Sequence, residues 1–322
     1  MLKRILVALA AAVALLGLAT AGAQEKKTRI SIGTGGTGGV YYPLGGGLAA
    51  VLTKYVPGLE ATAEVTAGSI ANLQLIGGGK SELGFTMADA AWDAYNGFDK
   101  FSGKKVGLRT LCVFYPNRMH VVTIEGTGID KFADLKGRRV STGAPASGTE
   151  VTAMRLIEAF GLDPNKDMTR ERLSVAESVN ALKDRKIDAL FWVGGVPTPS
   201  ITDLAATPGI RIKLIDHGDG AEGMRRKYGP IYVKNRILKD AYPGQAVDTS
   251  NVDVWNLLVV PENADENLVY QITKTLFEKK DELVRVHKDA SFLELANQTP
   301  NASPIPYHPG ALRYLRERGV KM

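Results

Sequence analysis

Cysteine is almost missing from this chain: Cys112 is the only one in 322 residues, so no intramolecular disulfide can form and the core must hold the fold. Histidine is scarce too. Its four copies are scattered and join no Cys/His cluster, which leaves no transition-metal site and no call for a cofactor. Long runs of one charge are also lacking. The densest cationic stretch, Arg225-Arg226-Lys227, fits a solvated face and argues against a nucleic-acid partner. No short-period repeat and no low-complexity tract follows the N-terminal segment.

The N-terminus is informative. Lys3 and Arg4 precede an uncharged apolar run over 5–18, too short to span a bilayer, and Ala21-Gly22-Ala23 supplies the small-x-small pattern of a signal-peptidase site. Residues 1–23 therefore read as a cleavable leader, with a mature, periplasmic chain beginning at Gln24. No cysteine follows that site, so lipid attachment is not expected. Losing Lys3 and Arg4 lowers the formal charge from +6 to +4, a mild bias toward anionic ligands. The roughly 300 residues that remain stand at the upper end for one hydrophobic core, which favours two lobes.

Strand and helix patterns alternate along the mature chain. Residues 29–32, 61–66 and 83–86 read as strands, and 40–55, 69–77 and 89–95 as helices. The apolar stretch 110–124, interrupted by Pro116-Asn117-Arg118, reads as a strand leaving one lobe for the next, with the hinge at the interruption. A second series follows: strands at 139–142, 172–175 and 189–193, and helices at 149–160 and up to Arg185. Residues 254–260 read as the return strand, and 268–277 and 311–318 as closing helices. The expectation is α/β, with two Rossmann-like lobes on mostly parallel sheets: 24–117 as the first part of lobe I, 118–257 as lobe II, and 258–322 as the return to lobe I. In such sheets ligands sit at the carboxyl ends of strands, so two facing lobes make a cleft.

The loops after those strands carry the chemistry. Gly33-Thr34-Gly35-Gly36-Thr37-Gly38-Gly39 lies between a strand and a helix, where bare backbone N–H groups and a helix N-terminus suit an anion. The same residues satisfy G-x-G-x-x-G, which keeps a nucleotide-using enzyme as an alternative, although a secreted chain rarely meets a nicotinamide cofactor. Ser69 precedes a helix and either caps it or meets a ligand, and Asn72 lies one turn on. Ala146-Ser147-Gly148-Thr149 forms a second anion cradle; as a hydrolase nucleophile, Ser147 would need a base, and no histidine falls in a comparable loop. After 189–193 come Gly194 and Gly195, with Trp192 either an apolar plate or a core residue.

These segments resemble the TAXI solute receptors of tripartite ATP-independent periplasmic (TRAP) transporters. The resemblance rests on the run Gly33-Thr34-Gly35-Gly36-Thr37-Gly38-Gly39-Val40-Tyr41-Tyr42-Pro43, on Gly68-Ser69-Ile70-Ala71-Asn72-Leu73, and on Asp134-Leu135-Lys136-Gly137. It continues in Ser147-Gly148-Thr149, Gly195-Val196-Pro197 and His308-Pro309-Gly310-Ala311, and so covers nearly the whole mature chain. It implies a type II periplasmic-binding fold, no enzymatic activity, and a small ligand of the glutamate, glutamine or 2-oxoglutarate kind, passed to membrane permease subunits. It also implies ligand contacts at Thr34, Gly35, Gly36, Thr37, Tyr41, Ser69, Asn72, Ser147, Gly148 and Thr149. Where relatives often carry Gln-Ser-Asp, this chain reads Met87-Ala88-Asp89, so a pocket that touches Met87 is less polar there. Arg118 at the hinge could meet a carboxylate or lie on the surface. A sensory receptor and a receptor of the related tricarboxylate system remain alternatives.

Overall fold

The computed structural model describes residues 27–322; the expected leader and its cleavage site lie outside the described residues. Strand β1 (Thr28–Gly33) leads to helix α1 (Tyr41–Tyr55), β2 (Leu59–Glu64) to α2 (Ser69–Gly77), and β3 (Leu83–Met87) to α3 (Ala88–Asn96). The long β4 (Leu108–Ile124) then opens a second series: β5 (Arg139–Ser141), α4 (Gly148–Ala159), β6 (Thr169–Glu171), α5 (Val175–Lys183) and β7 (Ala189–Gly194). Helix α6 (Pro199–Ala206), β8 (Ile212–Leu214), α7 (Gly220–Tyr228) and β9 (Tyr232–Ile237) follow. The chain returns through β10 (Thr249–Pro261) to α8 (Glu266–Glu278), α9 (Lys280–Val286) and α10 (Pro309–Glu317).

The strands form one sheet in the order β2-β1-β3-β10-β4-β7-β5-β6, with β8 beside β4 and β9 beside β10. Its halves share a pattern. Parallel trio β2-β1-β3 ends against antiparallel β10, and parallel trio β6-β5-β7 ends against antiparallel β4. The sheet is therefore mixed and not mostly parallel, because the two strands that run between the halves enter each trio backwards and pair with each other along their length.

Local sequence explains the element ends. Strand β3 is buried at every position, as a strand covered by helices on both faces must be. Helix α5 starts with a capping box, Ser174 accepting from the Glu177 N–H while Glu177 reaches back to the Ser174 N–H. That cap ends β6 at Glu171, so the strand expected over 172–175 is a loop over 172–174 followed by the first residue of α5. Helix α10 opens with Pro309 after the His308 cap. Strand β4 runs unbroken through Pro116-Asn117-Arg118, where an interruption was expected. Pro116 lacks an N–H, and the partner strand meets it with a register irregularity between Trp255 and Leu257. The boundaries expected at 117/118 and 257/258 fall inside β4 and β10. One apolar core packs Leu44, Leu48, Phe85, Phe114 and Leu276 in the first half, and another gathers Val179, Leu190, Ile201 and Tyr242 in the second. Fully burying each such side chain contributes about 1.5–3 kcal/mol.

Candidate functional site

The six parallel strands point their carboxyl ends at one cavity of about 220 Å³. Loop residues after each of them form its wall: Gly35 to Tyr41 after β1, Val65 to Ser69 after β2, and Met87 at the end of β3. From the other half come Gly143, Ser147, Gly148 and Thr149 after β5, Ser174 and Val175 after β6, and Phe191 to Gly194 in β7. This is the crevice outside the strand ends where open α/β sheets hold ligands. Of the residues singled out in the sequence, Gly35, Gly36, Thr37, Tyr41, Ser69, Met87, Ser147, Gly148, Thr149, Trp192 and Gly194 line it together.

Thr34 and Asn72 do not; both are fully buried behind the wall. The Asn72 amide donates to the Thr34 carbonyl (2.7 Å) and the Phe85 carbonyl (2.8 Å), and its Oδ1 accepts from the Thr66 hydroxyl (2.7 Å). Thr34 Oγ1 donates to the Glu64 carbonyl (2.6 Å). The two side chains tie the loops after β1, β2 and β3 to one another, so they shape the wall without facing its interior. Arg118 is also elsewhere: its guanidinium lies 3.7 Å from Asp289 and over the Phe292 ring, paired with the protein's own carboxylate.

The polar groups of the wall fall into two sets. Ser147 Oγ accepts from the Glu150 N–H (3.1 Å) and donates to the Ala144 carbonyl, so it caps α4; among the described residues no histidine lines the cavity beside it. Thr149 Oγ1 accepts from the Val193 N–H, and Ser69 Oγ accepts from the Met87 N–H. By contrast, the N–H groups of Gly35, Gly36, Thr37 and Gly38 have no partner among the described residues. Helices α1 and α2, which begin beside them, have no acidic residue in the first turn and no side-chain cap. Their positive ends are unneutralised, an arrangement suited to an anion.

Trp192 lines the cavity and also packs, partly buried, against the core of the second half. Its indole donates to Thr198 Oγ1 (2.8 Å) and lies so close to Gly39 and Gly194 that a Cβ on either would come within 2.8 Å of the ring. Tyr115 and Phe191 complete the wall and escaped the sequence reading, because both sit within continuous apolar strands with no motif around them. Tyr115 is fully buried and its hydroxyl has no partner among the described residues. Burial, with the nearby Tyr41 and Asp289, pushes its phenol well above the usual value, so it stays a hydrogen-bond donor.

The two halves touch around this cavity. The Ser200 N–H donates to the Gly38 carbonyl (3.2 Å) and the Ala71 N–H to the Ala146 carbonyl (3.1 Å). A buried network joins α3 to α4. Thr152 and Tyr232 donate to Asp89 (3.0 and 2.8 Å), and Arg155 donates to Asp93 (2.5 Å) and Tyr232 (2.9 Å). Three carboxylates, Asp89, Asp93 and Asp99, surround that one guanidinium. Burial outweighs Arg155 at Asp93 and raises its carboxyl to about 6.

Comparison with known proteins agrees with this architecture. The chain is similar to a putative L-cystine ABC transporter protein from Listeria monocytogenes, at 17% identity over 83% of this chain and 96% of that one, with a TM-score of 0.51. It is similar to an ancestral arginine-binding protein bound to arginine, at 14% identity over 82% and 98%, TM-score 0.50. It also resembles a protein from Bordetella bronchiseptica RB50, at 19% identity over 90% and 89%, TM-score 0.51. At such identities the likeness is one of fold, the mixed α/β periplasmic-binding-protein fold. Sequence kinship comes from the NMT1-like family profile, which matches residues 32–319 and so takes in every loop around the cavity: the chain belongs to the NMT1-like family.

Proposed function

We propose that this chain is an extracytoplasmic solute receptor of the TAXI kind, which captures a small organic anion between its halves and delivers it to a TRAP-type membrane permease. The observation that carries the reading is the cavity itself, walled by the carboxyl ends of both parallel trios, with free N–H groups at 35–38 and uncapped helix ends. A ligand touching both walls favours the closed arrangement, because its contacts with the second wall are lost on opening. Strands β4 and β10 are the natural place for the bend. The leader expected over 1–23 agrees with a periplasmic site of action.

The test is to unfold the purified mature protein, identify the small molecules released by mass spectrometry, and rebind them to refolded protein by calorimetry. A stoichiometric organic anion that rebinds, and that lowers the radius of gyration in small-angle scattering, is expected. Protein that releases nothing, and that no metabolite stabilises, refutes a receptor role. Uptake of the identified anion into vesicles carrying the permease, dependent on added receptor, separates transport from sensing.

A further inference from the structure

We propose that the cavity takes a monoanion: a single carboxylate or sulfonate head on a compact apolar body, in preference to an amino acid or a dicarboxylate. The inference rests on the receptor reading and narrows its ligand class. Among the described residues, no Asp, Glu, Lys, Arg or His side chain lines the cavity. An ammonium group placed inside would have no carboxylate to meet, and an unpaired buried charge is strongly disfavoured.

The free N–H groups after β1 lie on one side. Helices α1 and α2 lack acidic first turns and caps, and the N–H groups at 35–38 are free beside them. On the opposite side α4 and α5 are capped by Ser147 and Ser174, whose hydroxyls already accept from the Glu150 and Glu177 N–H groups. Those caps take up N–H groups that a second negative charge would need.

Tyr115 gives an independent pointer. A fully buried phenol on the cavity wall, without a partner of its own, is an unmet donor that the head of an anion would satisfy. The apolar part of the wall, Val65, Met87, Val175, Phe191 and Trp192, suits a hydrocarbon body, while the Ser69, Ser147 and Thr149 hydroxyls already accept from backbone N–H groups. Recognition of the head by backbone and phenol, with shape selection by these side chains, is the division of labour common to small-molecule pockets.

Calorimetry on ligand-freed mature protein tests this with matched probes. The panel is a set of straight, branched and aryl monocarboxylates and alkanesulfonates; for the tightest of them, the analogue bearing an α-ammonium, the neutral amide, and the analogue bearing a second carboxylate; and glutamate and 2-oxoglutarate. The monoanion should bind about a hundredfold tighter than each charge-altered partner. Glutamate, 2-oxoglutarate or any other zwitterion or dianion binding more tightly than every monoanion overturns the proposal and leaves the receptor reading standing. No binding by any probe, together with nothing released from the purified protein, overturns both. Tyr115→Phe adds a second readout. Affinity for the monoanion should fall about tenfold while the ligand-free protein melts no lower than the parent, since the lost hydroxyl had no partner. Unchanged affinity removes Tyr115 from the head site and overturns that part of the assignment.

Discussion

Gly148→Ala should separate ligand affinity from folding stability. A Cβ on Gly148 would lie 2.7 Å from Ser69 Oγ, 2.8 Å from Met87 Sδ and 3.0 Å from Ser69 Cβ, all on the opposite half of the cavity. The Met87 side chain can swing aside. Ser69 cannot move as freely, because its hydroxyl is held by the Met87 N–H at the start of α3. Overpacking of this sort costs about 1–3 kcal/mol. In the receptor as proposed, the cost falls on the closed state alone, since opening draws the two walls apart. The closed population and the apparent affinity should then drop about 5- to 150-fold. Ligand-free stability should hold or rise slightly, because alanine at a helical position restricts the unfolded chain more than glycine does. Calorimetric titration with the released ligand and a melt of the free protein read the two quantities separately. Gly46→Ala, on α1 where an added Cβ meets nothing, is the control. Affinity within about twofold of the parent would refute closure across Gly148. A free protein that melts much lower would mean the halves do not open at all.

Three further outcomes are expected. Asn72→Ala removes the amide donor from the buried Thr34 and Phe85 carbonyls, of which the first keeps the Thr66 hydroxyl, so urea unfolding should show a loss of about 1–3 kcal/mol, with affinity falling as well. Trp192→Phe should abolish most of the ligand-induced change in tryptophan fluorescence although Trp92 and Trp255 remain, since neither of those lines the cavity. Stability against pH should carry two opposed slopes. Burial depresses His120 to about 3 and His217 to about 4, so their contribution is present above the ordinary 6.5 and is lost as pH falls toward 4. Asp93, raised from 3.8 to about 6, contributes stability below 3.8 that is lost as pH rises through 6. Asp93→Asn should therefore steepen the acid loss between pH 6 and 4 in thermal melts; an unchanged slope would show that Asp93 ionises normally.

The sequence disclosed the site more fully than the sheet around it. Gly-, Ser- and Thr-rich segments between a strand and a helix either cap the helix or present its first N–H groups, and both uses place them at the strand ends, so the gathering of 35–37, Ser69 and 147–149 around one cavity was legible. Thr34 and Asn72 misled for a related reason: a polar side chain bonded to buried carbonyls has the same local signature as one that waits for a ligand. Tyr115 and Phe191 left no trace, because strands buried on both faces show no alternation to reveal which side chain faces a cavity. The parallel trios followed from strand–helix alternation. The antiparallel course of β4 and β10 did not, because their partners lie far away in sequence and a hydrophobic run carries no direction.

The pairing of Met87 with Asn256 also has a consequence for the order of folding. The second trio and its β4 and β8 neighbours close over short stretches of chain, whereas β3 acquires its β10 neighbour only after everything between has been synthesised. Long-range pairing of this sort carries the larger loop-closure entropy and forms slowly. The inserted half should gain hydrogen-exchange protection first, and the half holding residues 27 and 322 last. Until it does, the loop after β1 is not held against the wall that the inserted half has already built, so a newly made chain has no complete cavity before the last strand is in place.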